Sequence, residues 1–225
     1  MYMNINKIKE QLRYIAAIGL IMLVSSCTQE SPVTIPFPEP VEPPDRTLFA
    51  KGADISWVTK MEKEGLTFYN SQHVEMELMT LLKNETGVNA IRLRVWVNPE
   101  EGWNNIDDVF VKARRAHKMG LRLMIDFHFS DTWADPGAQV TPAAWVDYDI
   151  AQLKDAVAAH VTDMLTRLKE HNIEPEWVQI GNETRNGMLY PLGHIDNGSN
   201  FADLINSGYS AVKELFPECL VVVHL

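Results

Sequence analysis

An α/β fold with a parallel sheet curved as a (β/α)8 barrel, about five of its eight βα units being present, is what this sequence predicts. Three observations carry that expectation. From Leu48 onward, short apolar runs alternate with longer segments of helical periodicity, the mark of βαβ units. Within 121–128 the alternation has period two: Leu121, Leu123, Ile125 and Phe127 share one face, and Arg122, Met124, Asp126 and His128 the other. A polar inner face does not suit an open doubly wound sheet and does suit the upper layers of a barrel. The same pattern recurs in Arg92, Arg94, Trp96 and in Gln179, Gly181, Glu183.

The chain opens with Lys7, Lys9 and Arg13, an apolar run from Ile15 to Val24, and Leu-Val-Ser-Ser-Cys ending at Cys27. Ten apolar residues are too few to span a bilayer, which takes about 20. Residues 1–27 are therefore expected to be an export signal, with Cys27 as the acylated first residue of a lipoprotein. Residues 28–46 hold six prolines among Ser, Thr and Glu, a composition for an extended spacer. The barrel is expected over 47–225. Its strands are expected at 48–54, 90–97, 121–128, 177–182 and 220–225. Helices are expected at 72–86, 106–119, 149–171 and 200–216. In the third helix Ile150, Leu153, Val157, His160, Val161, Met164, Leu165 and Leu168 recur at three- and four-residue spacing. Gly87 and Gly120 stand where helices must stop before strands.

Hydrophobic residues make up 46% of the chain, enough for one packed core. The formal charge is −10, and the signal carries Lys7, Lys9, Arg13 and Glu10, leaving the rest near −12. So acidic a surface argues against nucleic acid and polyanionic substrates and would not repel a neutral polysaccharide. With Cys27 acylated only Cys219 remains, so stability must come from packing and not from an internal disulfide.

Polar groups concentrate where strands end. Gln179-Ile-Gly-Asn-Glu183 puts a carboxyl at the end of the fourth expected strand, where a barrel meets its substrate and where a glycosidic oxygen could be protonated. Neighbours on a regular strand point opposite ways, so Asn182 and Glu183 can share a site only if the backbone turns, which Gly181 permits. Asn182 would then reach the hydroxyl beside the reacting carbon. His128 and Trp133 follow the third strand, Trp133 as a plate for a sugar's C–H face, with Asp131 and Asp135 as hydroxyl acceptors. Arg94 is expected to orient the carboxylates and Arg92, one layer lower, to be structural. Asp54 and Trp57 would shape sugar subsites, Asp54 alternatively capping a turn, and His224 would bind substrate from the fifth strand.

The segments KGADISW, IRLRVWVNP, DFHFSDTWADPG and QIGNE, in that order, resemble glycoside hydrolase family 53, the arabinogalactan endo-β-1,4-galactanases. The resemblance implies a (β/α)8 barrel and a retaining mechanism in which Glu183 matches the acid/base and Arg94, His128 and Asn182 match its surroundings. It implies a neutral plant polysaccharide, galactan, as partner and a monomer for the full-length protein. The family's nucleophile, a Glu at the end of strand seven, has no counterpart in this sequence, which is therefore expected to be a fragment. A family calcium site would lie in later loops, so no cofactor is expected from these residues. For a bacterial lipoprotein, Thr28 after the cysteine points to the outer membrane or cell surface.

Three rivals stand beside this expectation. A xylanase, mannanase or cellulase of the same clan would keep the barrel, but the DFHFSDTWADPG loop speaks against it. A non-catalytic lipoprotein would hold glycan on Trp57, Trp96 and Trp133 without cutting it. A metal hydrolase would use Asp126, His128 and His224, but no further histidine completes a ligand set, so no metal is expected.

Overall fold

The computed structural model describes residues 43–225, so the expected signal, Cys27 and most of the spacer lie outside the described residues. Strand β1 (Gly52–Asp54) leads to a short helix α1 (Val58–Lys63) and an antiparallel hairpin of β2 (Phe68–Tyr69) and β3 (Glu75–Met76). Helix α2 (Leu78–Leu81) runs into a π-helical turn, Leu82–Thr86. Thereafter strands and helices alternate: β4 (Ala90–Val95), α3 (Ile106–Lys118), β5 (Arg122–Phe127), α4 (Ile150–Glu170), β6 (Trp177–Ile180), α5 (Asn200–Leu215) and β7 (Leu220–Val222). The main sheet has the order β1-β4-β5-β6-β7 with every pair parallel.

The outer strand face builds the core. Ile91, Leu93, Val95, Leu123, Ile125, Phe127, Val178 and Ile180 are all buried, beneath Val109 and Ala113 of α3, Leu165 and Leu168 of α4 and Val212 of α5. Truncating any one of the large ones to Ala would cost about 2–5 kcal/mol. Gly208 lets α5 lie close to the sheet, since a Cβ there would meet Ile180 Cγ2 at 2.8 Å. His160 is buried among Phe127, Phe129 and Trp145, and burial pushes its imidazole down to about 4, so it is a neutral core residue. Cys219 is also buried, its thiol pushed up to about 11 by desolvation, which makes it unreactive.

Helix limits follow local chemistry. Asn105 caps α3 by accepting from Asp108 N–H at 2.9 Å, with Asp107 and Asp108 in the first turn and Arg115, His117 and Lys118 in the last, matching the helix dipole. Asp149 and Gln152 form a reciprocal capping box at the start of α4.

Two expectations about elements need correction. The helix expected over 72–86 begins only at Leu78, because Asn70 Oδ1 accepts from the N–H groups of Gln72 and Val74 and turns the chain into the β2–β3 hairpin. Helix α1 and the hairpin themselves carried no clear periodic signal. The strands end early, at Val95, Ile180 and Val222, since the residues beyond them bend to form the site. At the end of the spacer Asp45 accepts from the backbone and hydroxyl of Thr47, and Arg46 lies 3.6 Å from Glu174 and 3.9 Å from Glu176.

Candidate active site

Parallel register sets the site's levels. Arg94, Asp126, Gln179 and Val222 pair in one row, and Asp54, Arg92, Met124 and Trp177 in the row below. All face away from the helices, and the strand C-termini add His128, Asn182, Glu183 and His224 above them.

Arg92 stands at the centre. Its guanidinium donates to Asp54 Oδ2 (2.7 Å), Asn182 Oδ1 (2.9 Å) and Gln179 Oε1 (3.3 Å) and lies 2.6 Å from Asp126 Oδ2. Arg92, expected to be structural, thus holds Asp54 and Asp126 and braces Asn182, while Arg94, expected to orient the carboxylates, forms no ion pair among the described residues. Arg92 does sit one layer lower, but its side chain is long enough to reach up to the strand tops. Arg94 is instead buried beneath tryptophans, with its guanidinium carbon 4.0, 4.9 and 5.1 Å from the ring centroids of Trp133, Trp96 and Trp57. Burial lowers its basicity, an effect opposed by the charges of Asp54 and Asp126.

Asp54 both caps and binds. Its Oδ1 accepts from Ser56 N–H (3.0 Å) and Ser56 Oγ (2.6 Å) while Oδ2 holds Arg92. Burial works against its charge, yet the bonds from Ser56 and Arg92 outweigh that and keep the carboxyl below the usual carboxylate range. Asp126 is fully buried, and its Oδ2 also meets His128 Nε2 at 2.9 Å. That oxygen thus faces a guanidinium and an imidazole, and among the described residues no three His, Cys, Asp or Glu side chains are grouped as a metal ion would need. Asp126 Oδ1 and His128 Nδ1 are buried with no protein partner among the described residues.

After β6 the backbone reverses as the glycine suggested. Gly181 has φ +82° and Glu183 φ +50°, and a Cβ at Gly181 would meet Thr184 Cγ2 at 2.5 Å. Asn182 and Glu183 consequently line one cleft of about 630 Å3 together with Arg92, His128, Trp133 and His224. The Asn182 amide is fixed on both sides: Oδ1 accepts from Arg92, from Gln179 Nε2 (3.2 Å) and from His224 Nδ1 (3.0 Å), while Nδ2 donates to Ala134 O (2.8 Å). Trp133 borders the cleft half exposed, at 51%. Trp57 packs near its ring, with centroids 6.2 Å apart.

Asp131 is not the free acceptor it was expected to be. Its two oxygens accept from Asn98 N–H and Ala143 N–H, each at 2.9 Å, and so clamp the loop that carries Trp133. Asp135 accepts from Gly137 N–H at 2.7 Å in the same loop.

Four supporting residues had gone unassigned. Gln139 donates to the carbonyls of Asn182 (2.7 Å) and Glu183 (3.3 Å), holding the reversed backbone. Gln179, visible as an inner-face residue, braces Asn182. Ser56 accepts from Arg94 N–H, and Lys112, with no exposed surface, donates to Ser56 O, Asn104 Oδ1 and Asp108 Oδ2. A lysine at a core position of α3 was the only hint of that buried network.

Residues 50–225 match the family model described as Glycosyl hydrolase family 53. A probable arabinogalactan endo-beta-1,4-galactanase A of Aspergillus fumigatus is 39% identical over 181 residues, covering 80% of this chain and 51% of its own length. An arabinogalactan endo-beta-1,4-galactanase of Humicola insolens is 42% identical over 177 residues, covering 78% and 53%. A solved structure from a study of two fungal beta-1,4-galactanases superposes with a TM-score of 0.75 at 42% identity, covering 79% of this chain and 54% of that one. The chain thus spans about half the length of the curated relatives it matches.

Proposed function

The chain belongs to glycosyl hydrolase family 53, and from that membership we propose that it carries the acid/base side of an endo-acting β-1,4-galactanase site on a partial (β/α)8 barrel. The observation that carries the reading is the placement of Glu183 beside the fixed amide of Asn182 in the cleft above Arg92. Glu183 gives its proton to the leaving glycosidic oxygen, then takes one from the water that completes hydrolysis. Asn182 has one Nδ2 hydrogen in use on Ala134 O and offers the other to the hydroxyl next to the reacting carbon. Trp133 supplies an apolar plate for a sugar ring, and His128 and His224 border the same cleft.

A retaining mechanism needs a second carboxylate about 5 Å from Glu183 as nucleophile. No residue of this chain is given that role. Upstream, the mature protein begins at an acylated Cys27 that anchors it to the bacterial envelope, and the proline-rich spacer holds the barrel off the membrane, a reading supported by the Leu23–Cys27 pattern and the composition of 28–46.

The test uses the protein as its source cell makes it, with Glu183→Ala beside it. Reducing ends should appear from β-1,4-galactan and not from xylan or mannan, and Glu183→Ala should lower the rate by about 100- to 10,000-fold. Azide should rescue Glu183→Ala on an activated aryl β-galactobioside and yield the β-glycosyl azide. An α-glycosyl azide would make Glu183 the nucleophile, and an unchanged rate in Glu183→Ala would remove it from the chemistry.

A further inference from the structure

A second cleft of about 500 Å3 adjoins the first and shares Trp133 as a wall. Its other sides are Trp57, Trp96 and Trp103, with Glu100 and Glu101 at the rim. Trp57, Trp96 and Trp133 meet one another with centroids 5.6–6.2 Å apart at steep angles, forming a three-sided box instead of a stack. Arg94 is buried within contact distance of all three rings. A desolvated cation is attracted to the faces of the indoles around it, so the three plates are held in place before any ligand arrives. Arg94 Nε and Nη2 have no hydrogen-bond partner among the described residues, which leaves the rings as the main hold on the guanidinium.

The rim defines the ligand's charge. Glu101 pairs with Lys60 at 2.7 Å, while Glu100 is exposed and free to accept from hydroxyl groups. Fixed aromatic faces beside carboxylate acceptors suit neutral sugars and disfavour uronates, whose carboxylates would face Glu100. Resting on the galactanase reading above, we propose that this second cleft is a remote glycan subsite. It takes neutral pyranose units of the same galactan chain that is cut beside Glu183, so that a long oligosaccharide passes Trp133 from one cleft to the other.

The experiment is calorimetric binding to Glu183→Gln protein, which cannot consume its ligand, using β-1,4-galactohexaose and β-1,4-galactobiose as probes. Adding Trp103→Ala should weaken hexaose binding ~10-fold, the size of one lost ring contact, and leave the biose within about twofold. Trp103→Phe should restore most of it. Glu100→Ala, a change at an exposed side chain, should weaken the hexaose ~3-fold, one lost hydrogen bond, and keep the folded state intact. Hexaose affinity unchanged in both Trp103→Ala and Glu100→Ala would overturn the subsite while leaving the Glu183 cleft in place. Equal weakening of both probes would overturn it too, since damage would then have spread to the Glu183 cleft. Failure of the unsubstituted Glu183→Gln protein to bind either probe would overturn the galactan reading and the subsite together.

Discussion

Replacing Arg92 by methionine tests the electrostatic centre of the site most directly. Asp126 is fully buried, its Oδ1 already lacks a partner, and its Oδ2 would keep only His128. Breaking a buried ion pair from one side costs about 3–5 kcal/mol, because the remaining charge cannot be rehydrated. The lower end applies here, since the Arg92 side chain is 26% exposed. The second pair, to Asp54, adds less than about 1 kcal/mol, because that carboxylate is 33% exposed and keeps its bonds from Ser56. The expected loss is therefore about 3 kcal/mol. In urea, with a slope of about 2 kcal/mol per molar, the midpoint should fall by roughly 1.5 M. Asp126→Asn in the Arg92→Met background removes the stranded charge and should recover about 2 kcal/mol, a coupling that a double-mutant cycle isolates. A loss below about 1 kcal/mol, or a cycle that closes without coupling, would refute the claim that Arg92 serves chiefly to neutralise Asp126.

His160 predicts an acid limb: its folded value of about 4 lies below the free value of 6.5, so stability is complete above pH 6.5 and declines as pH falls toward 4. The decline should approach about 3 kcal/mol, and His160→Leu should flatten it relative to the parent in urea melts between pH 4 and 7.5. An unchanged slope in the variant would mean that His160 accepts its proton without cost. Gly181→Ala should destabilise by about 1–3 kcal/mol through its φ of +82° and the 2.5 Å approach to Thr184 Cγ2, with loss of the galactan cleavage proposed above; a thermal midpoint within a degree of the parent would show that the reversal tolerates a side chain. Palmitate labelling in the source cell should vanish in Cys27→Ala, and labelling that persists would place the anchor elsewhere.

Much of this arrangement could be read from the chain. Period-two alternation in 121–128 gave both faces of β5, because a strand between helices and a polar cleft leaves no freedom in that pattern. Gly181 announced the reversal that brings Asn182 and Glu183 together, since few other residues adopt its φ. Arg92 and Arg94 were both visible as inward-facing cations, but the reach of Arg92 to Asp126 and Asn182 was not, because side-chain reach is a property of three dimensions. Asn182 and Gln179 lie 90 and 87 residues from Arg92 in sequence. The clamp by Gln139 left no trace because a glutamine in a loop has no period. Asp131 looked like a sugar ligand for the opposite reason: acidic loop residues suit hydroxyls and backbone N–H groups equally, and only the fold shows that Asn98 and Ala143 have claimed it.

The direction in which the Asn182 amide faces follows from the same contacts. Three donors converge on Oδ1, and a carbonyl stands opposite Nδ2. Rotating the amide by half a turn would set an N–H against the Arg92 guanidinium and the Gln179 amide and an oxygen against Ala134 O, leaving buried donors and acceptors unpaired. The observed orientation is thus held before substrate arrives, and it leaves a donor, not an acceptor, for a sugar hydroxyl. Arg92, the cation beneath, has its ion pairs with Asp54 and Asp126, and among the described residues none is formed with Glu183. With its charge taken up by Asp54 and Asp126, Arg92 braces the neighbouring Asn182 amide from below, so the donor left on Nδ2 keeps its direction.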